Sequence, residues 1–400
     1  MQEVNYADKN SVRVEMGAPV VVSAADPAES TWGFHQCPTI SRLPDSSILL
    51  TYKTNHDDSL CCGHASPAHV SDDDGLSWRI VDLDDKGLTC CHSPICELFD
   101  GEFLCVPMPV GLSPKSLNTE MLKEPVGEIF AYFTRYFYPI ARFPQEIQDY
   151  YARLRALRWT PSTGRWEDES IGWDMKCFLV RHDAGGVLNA SLARSSFEYR
   201  PVILGDELVY ADHKSNYLYP NGGGPPSYDV HCMVSQDNGR NWSHRAVIAY
   251  DPDGAMAPSE TAMAVNTQGD LVCVHRNTDH RQLPMWTTSS ADGGRTWTQP
   301  RQLFDQGVMP QLLTLDNGIM ALAFGRPGVL LSFSPDGTGN EWTSPQRIFE
   351  ESHDKQSCGY TGLLPLSDDT FLIAYADYFH VDQRGRTRRA IKVQPVQVRV

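Results

Sequence analysis

The stretch Ser290-Ala-Asp-Gly-Gly-Arg-Thr-Trp297 follows the pattern S-x-D-x-G-x-x-W, which returns along the chain. Its Asp and Ser side chains can bond the backbone of their own turn, its Gly can adopt a positive φ, and its Trp can pack on the next strand. These properties favour a hairpin turn with a structural role. Because the pattern returns along the chain, the chain is a repeat protein. The further copies are Ser71–Trp78, Ser235–Trp242, Ser334–Trp342 with one inserted residue, and the degenerate Thr160–Trp166.

A second repeat lies between these turns: an apolar strand, a tight turn rich in Asp, Gly or Asn, and another apolar strand. Its copies start 55, 107, 60, 50 and 50 residues apart, at Pro38, Ser93, Arg200, Glu260, Pro310 and Tyr360. A four-stranded propeller blade with its loops requires about 50 residues. The predicted fold is therefore an all-β, six-bladed β-propeller, with a seven-bladed propeller as the alternative.

The 107-residue interval decides between six and seven blades. Residues 128–159 include a proline-flanked, aromatic-rich segment that favours an insertion with some helix. We therefore predict a single domain over residues 1–400, with an insertion at about 110–152 in blade two. The strands near residues 12–15 and 19–22 are expected to complete the sheet of the last strand, residues 390–400, which removes exposed edges.

Composition limits the classes of partner. The chain has 400 residues and a formal net charge of −16, which disfavours nucleic acid and anionic membranes as partners. The amino terminus lacks an apolar signal-peptide core, and no apolar stretch reaches the length of a membrane span. We therefore expect a cytoplasmic protein. The eleven cysteines lack the spacing of a zinc site, so neither a metal nor a cofactor is predicted, and no pattern indicates an oligomeric state.

Ionisable and hydrogen-bonding residues bracket the apolar repeats at one end. In a propeller the leading ends of the innermost strands surround the mouth of the central channel. A purely structural disc does not need such a concentration of polar side chains, so we predict a site there, with His35 and Gln36 contacting the substrate. The bracketing residues are His35, Gln36, His56, Asp57, Asp58, His92, Tyr199, Arg200, His213, Lys214, Glu260, Arg276, Met309, Pro310, Gln311, Arg326, Tyr360, Asp377 and Tyr378.

The S-x-D-x-G-x-x-W turns resemble the Asp-box (BNR) repeats of the sialidase superfamily of β-propellers. The resemblance reaches individual residues in Pro258–Asn277 and Ser357–Tyr375. It implies that Tyr360 is a nucleophile, that Glu260 activates it, and that Arg276 binds a substrate carboxylate. A phenol with its usual pKa of about 10 is a poor nucleophile, so a nearby carboxylate that takes its proton is needed.

The sequence departs from this superfamily at the first arginine of the carboxylate clamp. Where sialidases have Arg-Ile-Pro, this chain has Gln36-Cys37-Pro38. Arg326 is then the candidate for another clamp member, and Arg200 is the candidate substitute for the missing one. The acid/base Asp of the superfamily lies in the loop after the second strand of blade one. Asp58 is a candidate for that role, and His92 is its alternative.

Three functions are compatible with these residues. The first is an exo-acting glycoside hydrolase that acts on an acidic sugar or glycan terminus, with a Tyr and Glu nucleophile pair and an arginine clamp. The second is a propeller-type uronate lyase that uses His35, His92, Arg200 and Tyr360 for proton transfer and charge neutralisation. The third is a non-catalytic carbohydrate-binding propeller, since this fold carries unrelated functions.

Overall fold

The fold is nearly all strand. A computed structural model describes residues 2–4, 12–31, 33–55, 66–88, 93–107, 119–131, 133–176, 178–184, 192–193, 197–213, 217–218, 228–253, 256–277, 284–326, 328–349 and 359–400. The α-helix found in these residues is α1 (Gln145–Ala152). No helix in the described ranges is long and apolar enough to span a membrane.

The strands are numbered in chain order. Those before the insertion are β1 (Gln2–Val4), β2 (Arg13–Met16), β3 (Val20–Ala24), β4 (Phe34–Arg42), β5 (Ile48–Thr54), β6 (Ala68–Ser71), β7 (Arg79–Val81), β8 (Ile95–Glu97) and β9 (Phe103–Cys105). The next are β10 (Gly127–Ala131), β11 (Phe133–Pro139), β12 (Arg153–Trp159), β13 (Trp166–Trp173), β14 (Leu179–Ala184) and β15 (Leu192–Ala193). The following eight are β16 (Val202–Leu204), β17 (Glu207–Asp212), β18 (Val230–Ser235), β19 (Asn241–Ala249), β20 (Pro258–Val265), β21 (Leu271–Asn277), β22 (Met285–Ser290) and β23 (Arg301–Phe304). The last seven are β24 (Val308–Thr314), β25 (Met320–Gly325), β26 (Val329–Ser334), β27 (Gln346–Phe349), β28 (Thr361–Ser367), β29 (Thr370–Val381) and β30 (Thr387–Arg399).

Antiparallel meanders of four strands are the repeating unit. The strands β4 to β7, β20 to β23 and β24 to β27 each form such a sheet. An eight-stranded sheet contains two more units, β8-β9-β12-β13 and β16 to β19, joined where β13 runs parallel to β19 at Gly172 and Asn241. The first strands of successive units pack side by side, from β16 through β20, β24 and β28 to β4 and β8. Each predicted apolar hairpin is the first pair of strands in its unit.

The sheet of β28, β29 and β30 closes the arrangement. Both β2 and β3 pair with β30, with Arg13 opposite Arg399 and Val20 opposite Val393. The side-chain amide of Gln394 also donates to the backbone carbonyl of Gly17 at 2.8 Å. The predicted closure of the sheet by the amino-terminal strands is confirmed.

A further sheet has the strand order β10-β11-β14-β15. Its strands come from two segments that flank β12 and β13, so its pairing is not local in sequence. The sequence analysis predicted an insertion with some helix here and did not predict this sheet. One face of the sheet, with Ile129, Phe137 and Leu179, packs against Tyr228 and Ala257.

The four predicted turns with a complete Ser, Asp, Gly and Trp set share one set of hydrogen bonds. In three of them the Ser Oγ to Asp Oδ1 distance is 2.8 Å, and between Ser334 and Asp336 it is 2.9 Å. The Trp indole donates to the Gly carbonyl at 2.9 to 3.1 Å. Each turn connects the third and fourth strands of its unit. These bonds support the predicted structural role of the turns.

The turn tryptophans differ in burial, which allows a stability prediction. Trp242 is 1% exposed and packs on Trp173 and Phe197, whereas Trp78 is only partly buried. Replacing Trp242 with Ala is expected to lower the free energy of unfolding by about 3–5 kcal/mol, because it leaves a cavity in the core. Trp78→Ala is the matched control, since its indole makes the same bond. Denaturant unfolding should show a clearly smaller loss for Trp78→Ala, and equal losses would contradict the role of burial.

Candidate active site

The backbone is unusual where the first strands of the sheets begin. Cys37, Glu260 and Met309 have positive φ values of 52°, 40° and 46°, and each lies in or beside a register shift of its strand. Positive φ is rare for residues other than glycine and clusters at functional sites. A bulge also re-aims side chains away from the regular alternation. The leading ends of these strands therefore carry the features of a site.

Glu260, Tyr360 and Arg276 are brought into direct contact. The Tyr360 hydroxyl donates a hydrogen bond to Oε1 of Glu260. Nη1 of Arg276 lies 2.7 Å from the same oxygen, and the two charged side chains are 12% and 15% exposed. Glu260 lies in β20, Arg276 near the end of β21, and Tyr360 directly before β28. Two separate sheets thus bring a phenol, a carboxylate and a guanidinium together.

The charges around this pair set its protonation state. Burial raises the pKa of Glu260, but the Arg276 charge, the Tyr360 hydroxyl and the Arg326 charge outweigh it and hold the pKa below the usual 4.5. Burial, followed by the Glu260 charge, raises the pKa of Tyr360 well above its usual value, and Arg276 and Arg326 oppose this. At rest the pair is therefore a carboxylate and a neutral phenol. Such a carboxylate can receive the phenol proton as the phenol oxygen bonds to an electrophile.

The structure places His35 apart from this cluster. Its Nε2 lies 3.0 Å from Oγ of Ser23 in β3, and its ring lies 5.0 Å from that of Tyr52. Burial, assisted by the Arg389 charge, lowers the pKa of His35 to about 4, so the imidazole is neutral at neutral pH. No contact in the described ranges joins His35 to Tyr360.

Gln36 lies in β4, and Arg200 contacts this strand. The side chain of Gln36 is fully buried, and its amide atoms have no hydrogen-bond partner within the part of the chain that the structure describes. Arg200 donates from Nη2 to the backbone carbonyl of Ile40 in β4, and burial lowers its pKa. These contacts link Arg200 to the first sheet, and none of those described links it to Glu260. The predicted acid/base candidates Asp58 and His92 lie outside the described residues.

Two further residues contact the cluster. The backbone N–H of Met309 donates to Oε2 of Glu260 at 3.0 Å, and the Tyr199 hydroxyl donates to the Met309 sulfur at 2.8 Å. Both stand among the bracketing residues predicted from the sequence, but neither was given an individual role, because a methionine and a tyrosine near the start of a strand carry no distinctive pattern. The described residues contain no cluster of three or more His, Cys, Asp or Glu that could hold a metal ion.

The Arg276 and Glu260 ion pair predicts a pH-dependent stability difference. In the wild type, ionised Glu260 stabilises the fold above its unfolded pKa of about 4.5, and this stability is lost as pH falls through the lower folded pKa. In Arg276→Gln, burial should dominate and raise that pKa, so ionised Glu260 becomes destabilising. Urea unfolding should therefore show a larger deficit of the variant at about pH 7 than at about pH 4. A deficit independent of pH would contradict this coupling.

Comparisons with known proteins agree on the fold. Residues 223–373 match the BNR repeat-like domain. A Dyadobacter fermentans protein of unknown function is 17% identical, with a TM-score of 0.64 over 96% of this chain and 99% of that chain. The Penicillium chrysogenum α-L-arabinanase is 13% identical, with a TM-score of 0.54 over 95% and 98%. The Hadza microbial sialidase Hz136 is 16% identical, with a TM-score of 0.50 over 91% and 65%.

These similarities concern the fold, which is a sialidase-like β-propeller. No curated protein matches the chain in sequence. A function for the chain is therefore inferred from its own residues.

Proposed function

We propose that the chain is a sialidase-like glycoside hydrolase that releases an acidic sugar from a glycan terminus. The observation that carries this proposal is the hydrogen bond from Tyr360 to Glu260, with Arg276 on the same carboxylate oxygen. A tyrosine nucleophile is the known exception to paired-carboxylate glycoside hydrolysis. The glycoside hydrolases among the proteins of similar fold are consistent with this activity.

The reaction has two steps. In the first, the Tyr360 oxygen bonds to the anomeric carbon and passes its proton to Glu260, while the glycosidic C–O bond breaks. The leaving oxygen takes a proton from an acid, for which we retain Asp58 and His92 as candidates. In the second step a water molecule gives a proton to that acid/base residue and bonds to the anomeric carbon. The Tyr360 oxygen leaves and recovers its proton from Glu260.

The preference for an acidic sugar is inferred from charge. Arg276 and Arg326 both act on Glu260, so these three residues together carry one excess positive charge. The chain as a whole has a net charge of −16, so the positive charge at this site is opposite in sign to the charge of the whole chain. An arginine hydrogen bond to a substrate carboxylate contributes roughly 1.5–3 kcal/mol. A neutral phenol nucleophile also avoids repulsion by an anionic sugar.

We further propose that the disc has six blades within one domain. The unit β4 to β7 is the first blade, and the two halves of the eight-stranded sheet are the second and third. The units β20 to β23 and β24 to β27 are the fourth and fifth, and β28 to β30 with the amino-terminal strands form the sixth. The sheet β10-β11-β14-β15 is an addition to the second blade, because its strands leave from both sides of β12 and β13. In the described residues its strands pair with one another and not with the first strands of the units.

Product analysis tests the function. The protein is incubated with a library of acidic oligosaccharides that have sialic acid or uronic acid termini, and the products are identified by mass and ultraviolet absorbance. The hydrolase yields a saturated monosaccharide. An unsaturated chromophore would instead indicate the lyase, and an unchanged library with measurable binding would indicate the carbohydrate-binding propeller. The lyase is less favoured, because His35 bonds Ser23 and has no described contact with Tyr360.

A further inference from the structure

The two oxygens of Glu260 have different partners. Oε1 accepts from Tyr360 and from Arg276, at 2.7 Å for the latter, and Oε2 accepts from the backbone N–H of Met309 at 3.0 Å. The N–H on Oε2 fixes the rotation of the carboxylate group. Only in this rotation does Oε1 face the hydroxyl whose proton it is to receive. The orientation of Glu260 thus depends on a main-chain group from a neighbouring sheet.

The backbone at Met309 needs support to present this N–H. Its φ is 46°, in the left-handed region, and the pairing of β24 shifts register between Val308 and Gln311. A non-glycine residue keeps such a conformation only where its surroundings hold it. The Tyr199 hydroxyl lies 2.8 Å from the Met309 sulfur and provides this support from the segment that precedes β16.

Tyr199 is suited to donate this bond. It is 6% exposed, and burial, followed by the charges of Glu260, Glu198 and Tyr360, raises its pKa well above the usual value. Its hydroxyl therefore stays protonated. The same charges indicate that Tyr199 lies within electrostatic range of both proposed catalytic residues.

We propose that Tyr199 and Met309 are positioning residues that orient Glu260 toward Tyr360, the Tyr199 hydroxyl holding the Met309 side chain and the Met309 N–H holding Oε2. The expected loss of rate rests on the proposed function. The expected change in the orientation of the Glu260 carboxylate rests on geometry alone. Neither residue bonds to the reacting atoms. Their contribution is to keep the proton acceptor in the orientation in which transfer from Tyr360 is possible.

Two variants remove this support without removing the N–H. Tyr199→Phe deletes the hydroxyl, and Met309→Leu deletes the sulfur acceptor at similar volume. Misplacing a catalytic group by about 1 Å costs on the order of 10²-fold in rate, so we expect kcat to fall by about that factor. KM should change little, because neither residue is placed against the sugar. The double variant should be no slower than either single variant, because both changes break the same contact.

A second readout does not need a substrate. Carboxyl ¹³C NMR, with the Glu260 resonance assigned through Glu260→Gln, measures the pKa of Glu260 in the free protein. Loss of the Met309 N–H from Oε2 should raise that pKa in both variants, because a donor that stabilises the carboxylate is lost. The pKa of Glu260 also depends on Arg276, Arg326 and Tyr360, which are unchanged in both variants. Tyr199 interacts electrostatically with Glu260 and is changed only in Tyr199→Phe.

Tyr138→Phe is the matched control. Tyr138 lies in β11 and is 2% exposed, and its hydroxyl donates to the backbone carbonyl of Leu122 at 3.0 Å. We expect its kcat and its Glu260 pKa to equal those of the wild type. An unchanged Glu260 pKa in both Tyr199→Phe and Met309→Leu would overturn the positioning role, whatever the substrate. If the pKa rises but no glycoside is cleaved by any form, the positioning role stands and the proposed function fails.

Discussion

Tyr360→Phe is expected to lower glycoside turnover by several orders of magnitude while leaving the fold intact. The variant loses the oxygen that bonds to the anomeric carbon, and Glu260, which accepts the hydroxyl hydrogen bond in the wild type, has no phenol left to activate. The covalent route is therefore closed. Initial rates on the substrate found by product analysis measure the loss.

A covalent label distinguishes this role from other uses of a tyrosine. A fluorinated sugar analogue that slows the second step should give a mass increase on the wild type, located at Tyr360 by peptide sequencing, and none on Tyr360→Phe. Tyr375→Phe is the control, since Tyr375 is 2% exposed in the same sheet and its hydroxyl bonds Gln394 at 3.2 Å. It should label and turn over normally. Full activity of Tyr360→Phe would exclude Tyr360 as the nucleophile of the hydrolase and as a proton-transfer residue of the lyase.

Glu260→Gln is expected to reduce kcat by about 10² to 10⁴-fold, the usual contribution of a general base. Glutamine keeps the shape of the side chain and can still accept from the Met309 N–H, but it cannot take a proton from Tyr360. The activity that remains should rise at high pH, where the tyrosine loses its proton to solvent. A pH profile of kcat measures this change.

Glu207→Gln controls for the loss of a buried ion pair. Glu207 bonds Arg245 at 2.6 Å, and these side chains are 13% and 11% exposed, which closely matches Glu260 and Arg276. The control should lose stability without losing turnover. If Glu207→Gln and Glu260→Gln slow the reaction equally, Glu260 has only a structural role.

The parts of the fold that were predictable are local in sequence. The apolar hairpins and the turns each occupy one short stretch, so their periodicity and their Ser, Asp, Gly and Trp residues indicate them directly. The closure by β2 and β3 followed from the need to cover sheet edges. The sheet β10-β11-β14-β15 was not predicted, because β11 and β14 pair across a segment that contains α1, β12 and β13.

The contacts of the candidate site were likewise predictable only in part. Resemblance to a superfamily indicated that Tyr360, Glu260 and Arg276 would meet, although Tyr360 and Glu260 are 100 residues apart. The contact of Tyr199 with Met309 joins residues 110 positions apart through a sulfur, and no pattern in the sequence marks it. The contact of His35 with Ser23 was not predictable either, because Ser23 lies in an amino-terminal strand of ordinary composition.

The pairing of β2 and β3 with β30 also determines the order in which the protein can be completed. Residues 13–24 leave the ribosome well before Thr387–Arg399. Domains form during synthesis from the amino terminus onward, but β2 and β3 cannot pair with β30 until Thr387–Arg399 has emerged. Through that interval their edges are open to other nascent chains. The closing sheet therefore forms only after β30 has emerged, and a chain stalled before residue 387 cannot complete that sheet.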